Sequence, residues 1–112
     1  MREKIEVVSI GPAVLKQYVK EAAAEGCRLV QIHANRRTER YQIIYTLAFG
    51  YRLTNLELVV LQDTPVESIS SIYPSAQLYE QEMAELFGVN IVGMPEDVPH
   101  VKLYHVNGHP MK

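Results

Sequence analysis

Between Tyr41 and Phe49 every second residue is large and apolar or aromatic: Tyr41, Ile43, Tyr45, Leu47 and Phe49. Successive side chains of an extended chain point to opposite sides, so these five share one face. A face that bulky needs a cover, and the segment therefore predicts a strand in a sheet with one buried side. Neighbouring segments supply the rest of that sheet. Leu29 to Ala34 predicts a strand with Val30, Ile32 and Ala34 on one face, and Leu56 to Leu61 is another β-rich run. Ile5 to Ile10 is a short β-type run ended by Gly11-Pro12. The polar residues Asn35-Arg36-Arg37-Thr38-Glu39-Arg40 form a connection of hairpin length, and Gly50 with its polar followers makes the next turn. Asp63-Thr64-Pro65 closes the third of these runs, because proline cannot donate to a central ladder.

Two segments carry helical periodicity instead. From Ala13 to Glu25 the apolar positions Val14, Leu15, Tyr18, Val19, Ala22 and Ala23 recur at the spacing of an amphipathic helix, with Pro12 suited to open it and Gly26 to stop it. A second helix is expected between Ile69 and Gly88. The order β-α-β-β-β-α predicts an α+β fold in a single domain, with a mainly antiparallel sheet and both helices on one face. The domain is expected to span residues 1–95, and the proline- and histidine-containing segment 96–112 to be an irregular tail.

Composition removes several function classes. The chain has 112 residues, is 47% hydrophobic and carries a formal charge of −2. That length suffices for one small core, and no basic footprint for nucleic acid is present. Apolar runs are a few residues long, far short of the roughly 20 that a membrane-spanning helix needs. Met1-Arg2-Glu3-Lys4-Ile5-Glu6 alternates charged with apolar residues, unlike a signal peptide. A single cysteine, Cys27, excludes an internal disulfide and a cysteine-held iron–sulfur cluster. These features predict a soluble intracellular chain with no redox cofactor of its own.

The segment Tyr73 to Gly88 concentrates Glu80, Glu82 and Glu85 in an otherwise apolar helical pattern. On a helical wheel of about 100° per residue, Ala76, Tyr79, Met83, Leu86 and Phe87 gather into a buried stripe. Glu80 falls at one edge of it and Glu82 near the other. Glu85 and Leu78 point almost opposite, which leaves Leu78 on the wet side beside carboxylates. A hydrolytic carboxylate pair must flank one bond at about 5 to 9.5 Å, and Glu80 and Glu82 splay apart. Glu82 and Glu85 are neighbours, but no histidine is spaced to complete a metal site with them. His105 and His109 are separated by Asn107-Gly108, which argues against a shared helical face. Cys27 fits a small buried hydrophobe better than a nucleophile. Arg36, Arg37 and Arg40 form a basic hairpin tip, first of all a solvated loop, second a dock for an acidic partner and a distant third a phosphate-binding site.

Further residues carry a family likeness. Ile72-Tyr73-Pro74-Ser75-Ala76, Tyr79-Glu80-Gln81-Glu82, Glu85-Leu86-Phe87-Gly88 and Gly93-Met94-Pro95 resemble the signature of the thirty-kilodalton subunit family of respiratory NADH:quinone oxidoreductase, or complex I. That family is shared with membrane-bound energy-converting nickel–iron hydrogenases. Tyr41-Gln42-Ile43-Ile44-Tyr45 and Pro65-Val66-Glu67-Ser68-Ile69 look like its strand and pre-helix loop, so the likeness runs from about Val14 to Pro95. The chain departs from the pattern at Gln81, where arginine is usual, and at Met94, where many members have histidine. Pro95 to His100 replaces a basic, leucine-rich stretch. These departures suggest a divergent branch, and the short chain looks closer to the hydrogenase-type complexes.

The resemblance implies a non-catalytic peripheral-arm subunit without a cofactor, held at the inner face of the membrane by its partners. Those would be a large catalytic subunit of hydrogenase or quinone-reductase type and an adjacent iron–sulfur subunit, with no nucleic acid and no direct membrane insertion. It also implies partner contacts at Leu78, Glu80, Glu82, Glu85, Phe87, Gly88, Gly93 and Pro95, the glutamates accepting charge-assisted hydrogen bonds. Self-association of the isolated chain is left open. Two other readings stand beside it. One is a stand-alone binding or regulatory domain that holds a small molecule, or dimerises, on the Tyr41, Tyr45 and Phe49 face. The other is an acid–base or metal-dependent enzyme using Glu82, Glu85 and the tail histidines.

Overall fold

The computed structural model describes residues 4–94; the expectations for Pro95 and for the tail 96–112 lie outside the described residues. Four strands, β1 (Lys4–Ile10), β2 (Arg28–Arg37), β3 (Arg40–Phe49) and β4 (Arg52–Leu61), form one sheet in the order β1-β4-β3-β2. The last three make the expected antiparallel meander. β1 instead pairs parallel with β4, from Lys4↔Arg52 to Ile10↔Leu58. The chain leaves β1 through a 3₁₀ turn (Pro12–Val14) and helix α1 (Leu15–Ala24), enters the far edge at β2, and folds back to β4. A parallel neighbour needs such a crossover, and α1 provides it.

The alternation in β3 is realised as expected. Tyr41, Ile43, Tyr45 and Leu47 are buried, and they meet Ile32 and Ala34 of β2 and Leu56, Leu58 and Val60 of β4 on the same face. Leu15, Val19 and Ala22 of α1 and Ala76 and Met83 of α2 (Ala76–Phe87) close over it in one core. Both helices therefore cover one side of the sheet. The other side carries cross-strand polar pairs. Thr46 Oγ1 donates to Asn55 Oδ1 at 2.8 Å and Asn35 Nδ2 to Gln42 Oε1 at 3.4 Å.

Three local expectations are corrected. β2 carries a bulge between Leu29 and Gln31, so Val30 is exposed and Leu29 packs against the core. One inserted residue reverses the parity of a strand, and Val30 thereby leaves the face of Ile32 and Ala34. The segment Asn35 to Arg40 is mostly strand: Arg37 pairs with Arg40 across a two-residue turn, Thr38-Glu39, with Glu39 at φ 63°. The segment before α2, expected as a loop, contributes β5 (Val66–Glu67), which pairs parallel with β6 (Ile91–Val92). This clip ties the chain before α2 to the chain after it. Gly88 ends the helix at φ 79°, a conformation that favours glycine.

Candidate functional site

Helix α2 is pinned to the sheet by tyrosines. Tyr41 of β3 donates its hydroxyl to the Phe87 carbonyl at the helix C-terminus. Tyr73, just before the helix, donates to the Cys27 carbonyl. Tyr79 reaches the Val30 carbonyl at the bulge of β2, at 3.3 Å. Tyr41 is buried, Tyr73 and Tyr79 are partly buried against the core, and each phenol satisfies a backbone acceptor, so the helix has little freedom to roll.

The inner side of α2 holds the least expected residue. Glu80 is fully buried, 0% exposed, and its donors come from its own chain. Oε1 accepts from Ser68 Oγ at 2.7 Å and Oε2 from the Ile69 backbone N–H at 2.8 Å. Ser68 directs its one hydroxyl proton to Glu80, so the 2.8 Å contact between the Ser68 and Ser70 hydroxyls is donated by Ser70. The Ser70 N–H adds a third bond to Ser68 Oγ at 3.1 Å. Glu80 is thus a clasp between α2 and the loop after β5, and its expected role in accepting a partner's donors is corrected on that ground. Burial pushes its pKa above the usual carboxylate range, and the Ser68 and Ile69 hydrogen bonds pull the other way.

Tyr45 lies beneath this clasp. Its hydroxyl is buried without a hydrogen-bond partner among the described residues. Burial, and then the nearby Glu80 charge, raise its pKa far above the ordinary phenol value, so it stays protonated. A buried polar atom left unpaired costs free energy. Tyr45→Phe is therefore expected to raise the stability of the purified chain by about 1 kcal/mol, as read by urea denaturation. A loss of stability would mean that the hydroxyl has a bonding role after all.

The outer side of α2 is different in kind. Leu78 is 45% exposed and Leu86 43%, and Glu82 and Glu85 are exposed beside them. Leu86 thus leaves the buried stripe expected for it. It sits on the wheel about 80° from Ala76, while Glu80 sits about 40° away on the other side. The helix is rolled toward Glu80, where the Ser68 and Ile69 donors lie, and the roll turns Leu86 outward. Leu78, Glu82 and Leu86 then follow each other at four-residue spacing, with Glu85 alongside. Phe87 is partly buried, and Gly88 and Gly93 are exposed at the end of the helix and after β6.

The sheet face expected to hold a ligand in the alternative reading is occupied, since Tyr41 and Tyr45 are core residues under the helices. Only Phe49 of that face stays exposed, at the sheet end, with the Arg52 guanidinium 5.8 Å from its ring centre. A shallow cleft of about 280 Å³ opens there, lined by Glu6, Tyr18, Glu21, Glu25, Phe49 and Arg52 among others. Among the described residues no three His, Cys, Asp or Glu side chains are placed to hold a metal ion. Among them too, no helix is long and apolar enough to cross a membrane.

Comparison with known proteins points the same way as the α2 signature. The NADH-quinone oxidoreductase C subunit of Bartonella bacilliformis is 31% identical over 78 residues, covering 68% of this chain and 38% of that protein. Its counterpart in Ruegeria sp. is 29% identical over 114 residues, covering 96% of this chain and 57% of the relative. The mitochondrial NADH-ubiquinone oxidoreductase 30.4 kDa subunit of Neurospora crassa is 30% identical over 78 residues, or 28% of its length. The chain spans less than two thirds of each of these relatives. In three dimensions it is similar to a chain of the membrane-bound sulfane sulfur reductase, an archaeal respiratory membrane complex. The TM-score is 0.74 at 18% identity, over 90% of this chain and 65% of that one, a likeness of fold. Residues 8–112 match the model of the respiratory-chain NADH dehydrogenase 30 Kd subunit, and the chain belongs to that family.

Proposed function

We propose that this chain is a non-catalytic, peripheral subunit of a membrane-associated respiratory oxidoreductase complex, of the NADH:quinone oxidoreductase or energy-converting hydrogenase type. It docks beside the large catalytic subunit and reaches the inner face of the membrane through its partners. The observation that carries this reading is the two-sidedness of α2. One side is locked by Glu80 and three tyrosines, while the other presents Leu78 and Leu86 to solvent on either side of Glu82. A rigid helix with an uncovered apolar side is suited to contact rather than to chemistry. Leu78, Glu82, Glu85 and Leu86 are the contact residues in this reading, with Gly88 and Gly93 beside them.

The test is recovery of the tagged full-length chain from its native source under gentle detergent. The expected result is co-purification with a large oxidoreductase subunit and an iron–sulfur subunit, while the chain purified alone is redox-silent. Recovery of this chain alone would overturn the proposal.

A further inference from the structure

The charges of this chain are segregated along its length. From Leu53 to Pro99 there is no lysine, arginine or histidine, while Glu57, Asp63, Glu67, Glu80, Glu82, Glu85, Glu96 and Asp97 all fall there. Helix α2 therefore has no cation of its own, and none stands in its last turn. Glu85 lies in that last turn, where the helix dipole is negative and a carboxylate is unfavourable. Glu82 sits three residues before it, so two like charges share one side of the helix. Both are exposed, and neither has an ion-pair partner among the described residues. They stand between and beside two half-exposed leucines that lie two turns apart, about 12 Å along the axis.

A surface of this composition selects its occupant. Phosphate backbones and anionic lipid headgroups are repelled by it. A purely apolar partner would bury the two carboxylates without compensation, which is costly. From this charge pattern we propose that the outer face of α2 receives a cationic, amphipathic segment of a partner protein. Its apolar side chains cover Leu78 and Leu86, and its lysine or arginine side chains pair with Glu82 and Glu85. The inference rests on the subunit reading above and names the chemistry of that contact. Because the pairs form at the rim of an apolar contact, they fix register and partner choice and make the association sensitive to salt.

The experiment compares co-purification of the tagged full-length chain with its complex for the wild type, E82Q/E85Q and E82K/E85K. Each is washed at about 0.1 M and about 0.5 M salt, between which the screening length shortens about twofold. Thermal melts of the purified chains check that folding is unchanged, as expected for exposed positions. The expected result is a wild-type complex weakened by salt, a charge-neutral variant that is weaker at low salt and indifferent to the wash, and a charge-reversed variant recovered about tenfold less or worse. Equal recovery of the charge-reversed variant, or a wild-type complex indifferent to salt, would overturn the cationic partner while leaving the subunit reading intact. Absence of any wild-type complex would overturn the subunit reading, and this one with it.

Discussion

Glu80→Ala is expected to destabilise the purified chain by about 3 to 5 kcal/mol, among the largest effects of any single change in this fold. The substitution deletes both acceptors of the clasp. The Ser68 hydroxyl and the Ile69 N–H, each in a buried residue, lose their partner. Each orphaned donor costs about 1 to 3 kcal/mol, and the space left by the side chain adds a cavity. Glu80→Gln should behave otherwise. Its amide oxygen can accept from the Ile69 N–H and its amide nitrogen can donate to Ser68 Oγ, whose proton then turns to Ser70. A cost within about 1 kcal/mol is expected at neutral pH.

The two variants also separate the pH behaviour of the site. The folded-state pKa of Glu80 is raised by burial, so in the window above the usual carboxylate range the folded chain binds more protons than the unfolded one. Its contribution to stability is then full below the unfolded pKa and is lost as pH rises through the folded pKa. Urea unfolding of the wild type across that window should show stability falling as pH rises. Subtracting the Glu80→Gln profile should isolate the slope. Parallel profiles, or a stability that rises in the wild type relative to the glutamine variant, would contradict the assignment. Tyr45, whose hydroxyl faces the same charge, stays protonated throughout and contributes no slope of its own.

What the sequence disclosed follows from the range of the interactions involved. The face of β3 is written in its own alternation, because pleating alone puts Tyr41, Ile43, Tyr45 and Leu47 together. The two helices are equally local, marked by spacing and by Gly26 and Gly88 at their ends. The parallel pairing of β1 with β4 is not local. It joins segments that the crossover brings together, and no residue in Ile5 to Ile10 specifies its neighbour. The bulge at Val30 is hidden because Leu29, Val30 and Ile32 are all apolar and fit either parity. Two-residue strands such as β5 and β6 are too short to carry a period at all.

The site divides in the same way. The wheel gives the neighbourhood of every residue on α2 but not the roll of the helix. That roll is set by donors eleven and twelve residues upstream of Glu80, the Ile69 N–H and the Ser68 hydroxyl, and by tyrosines from β3, from just before the helix and from its first turn. Glu80 and Leu86 exchange their expected environments for that reason. A signal is present in the sequence: two serines bracketing an apolar residue before the helix are ready donors for a buried acceptor, and Glu80, about 40° from Ala76 on the wheel, lies nearer the middle of the stripe than Glu82, about 120° away.

The apolar half of the proposed contact can be tested without touching its charges. Leu78→Gln combined with Leu86→Gln is expected to cost the free chain about 2 kcal/mol at most and to leave it folded. Glutamine matches leucine closely in helix propensity, and both positions are roughly half exposed, so the free chain loses only the half of each leucine that it already buries. The complex loses the other half as well. Full burial of a leucine is worth about 1.5 to 3 kcal/mol, so covering the remaining half of each should contribute about 1 kcal/mol per residue. Together that is about 2 kcal/mol, or roughly a thirtyfold loss of affinity. The measurement pairs thermal melts of the purified variant with titration of the tagged chain against the complex lacking it. If α2 docks through this side, the variant should still melt as a folded chain, below the wild type by no more than that loss, while the titration weakens at both low and high salt. A loss of folding well beyond about 2 kcal/mol would instead place Leu78 and Leu86 in the core. Unchanged affinity with unchanged folding would move the contact away from α2.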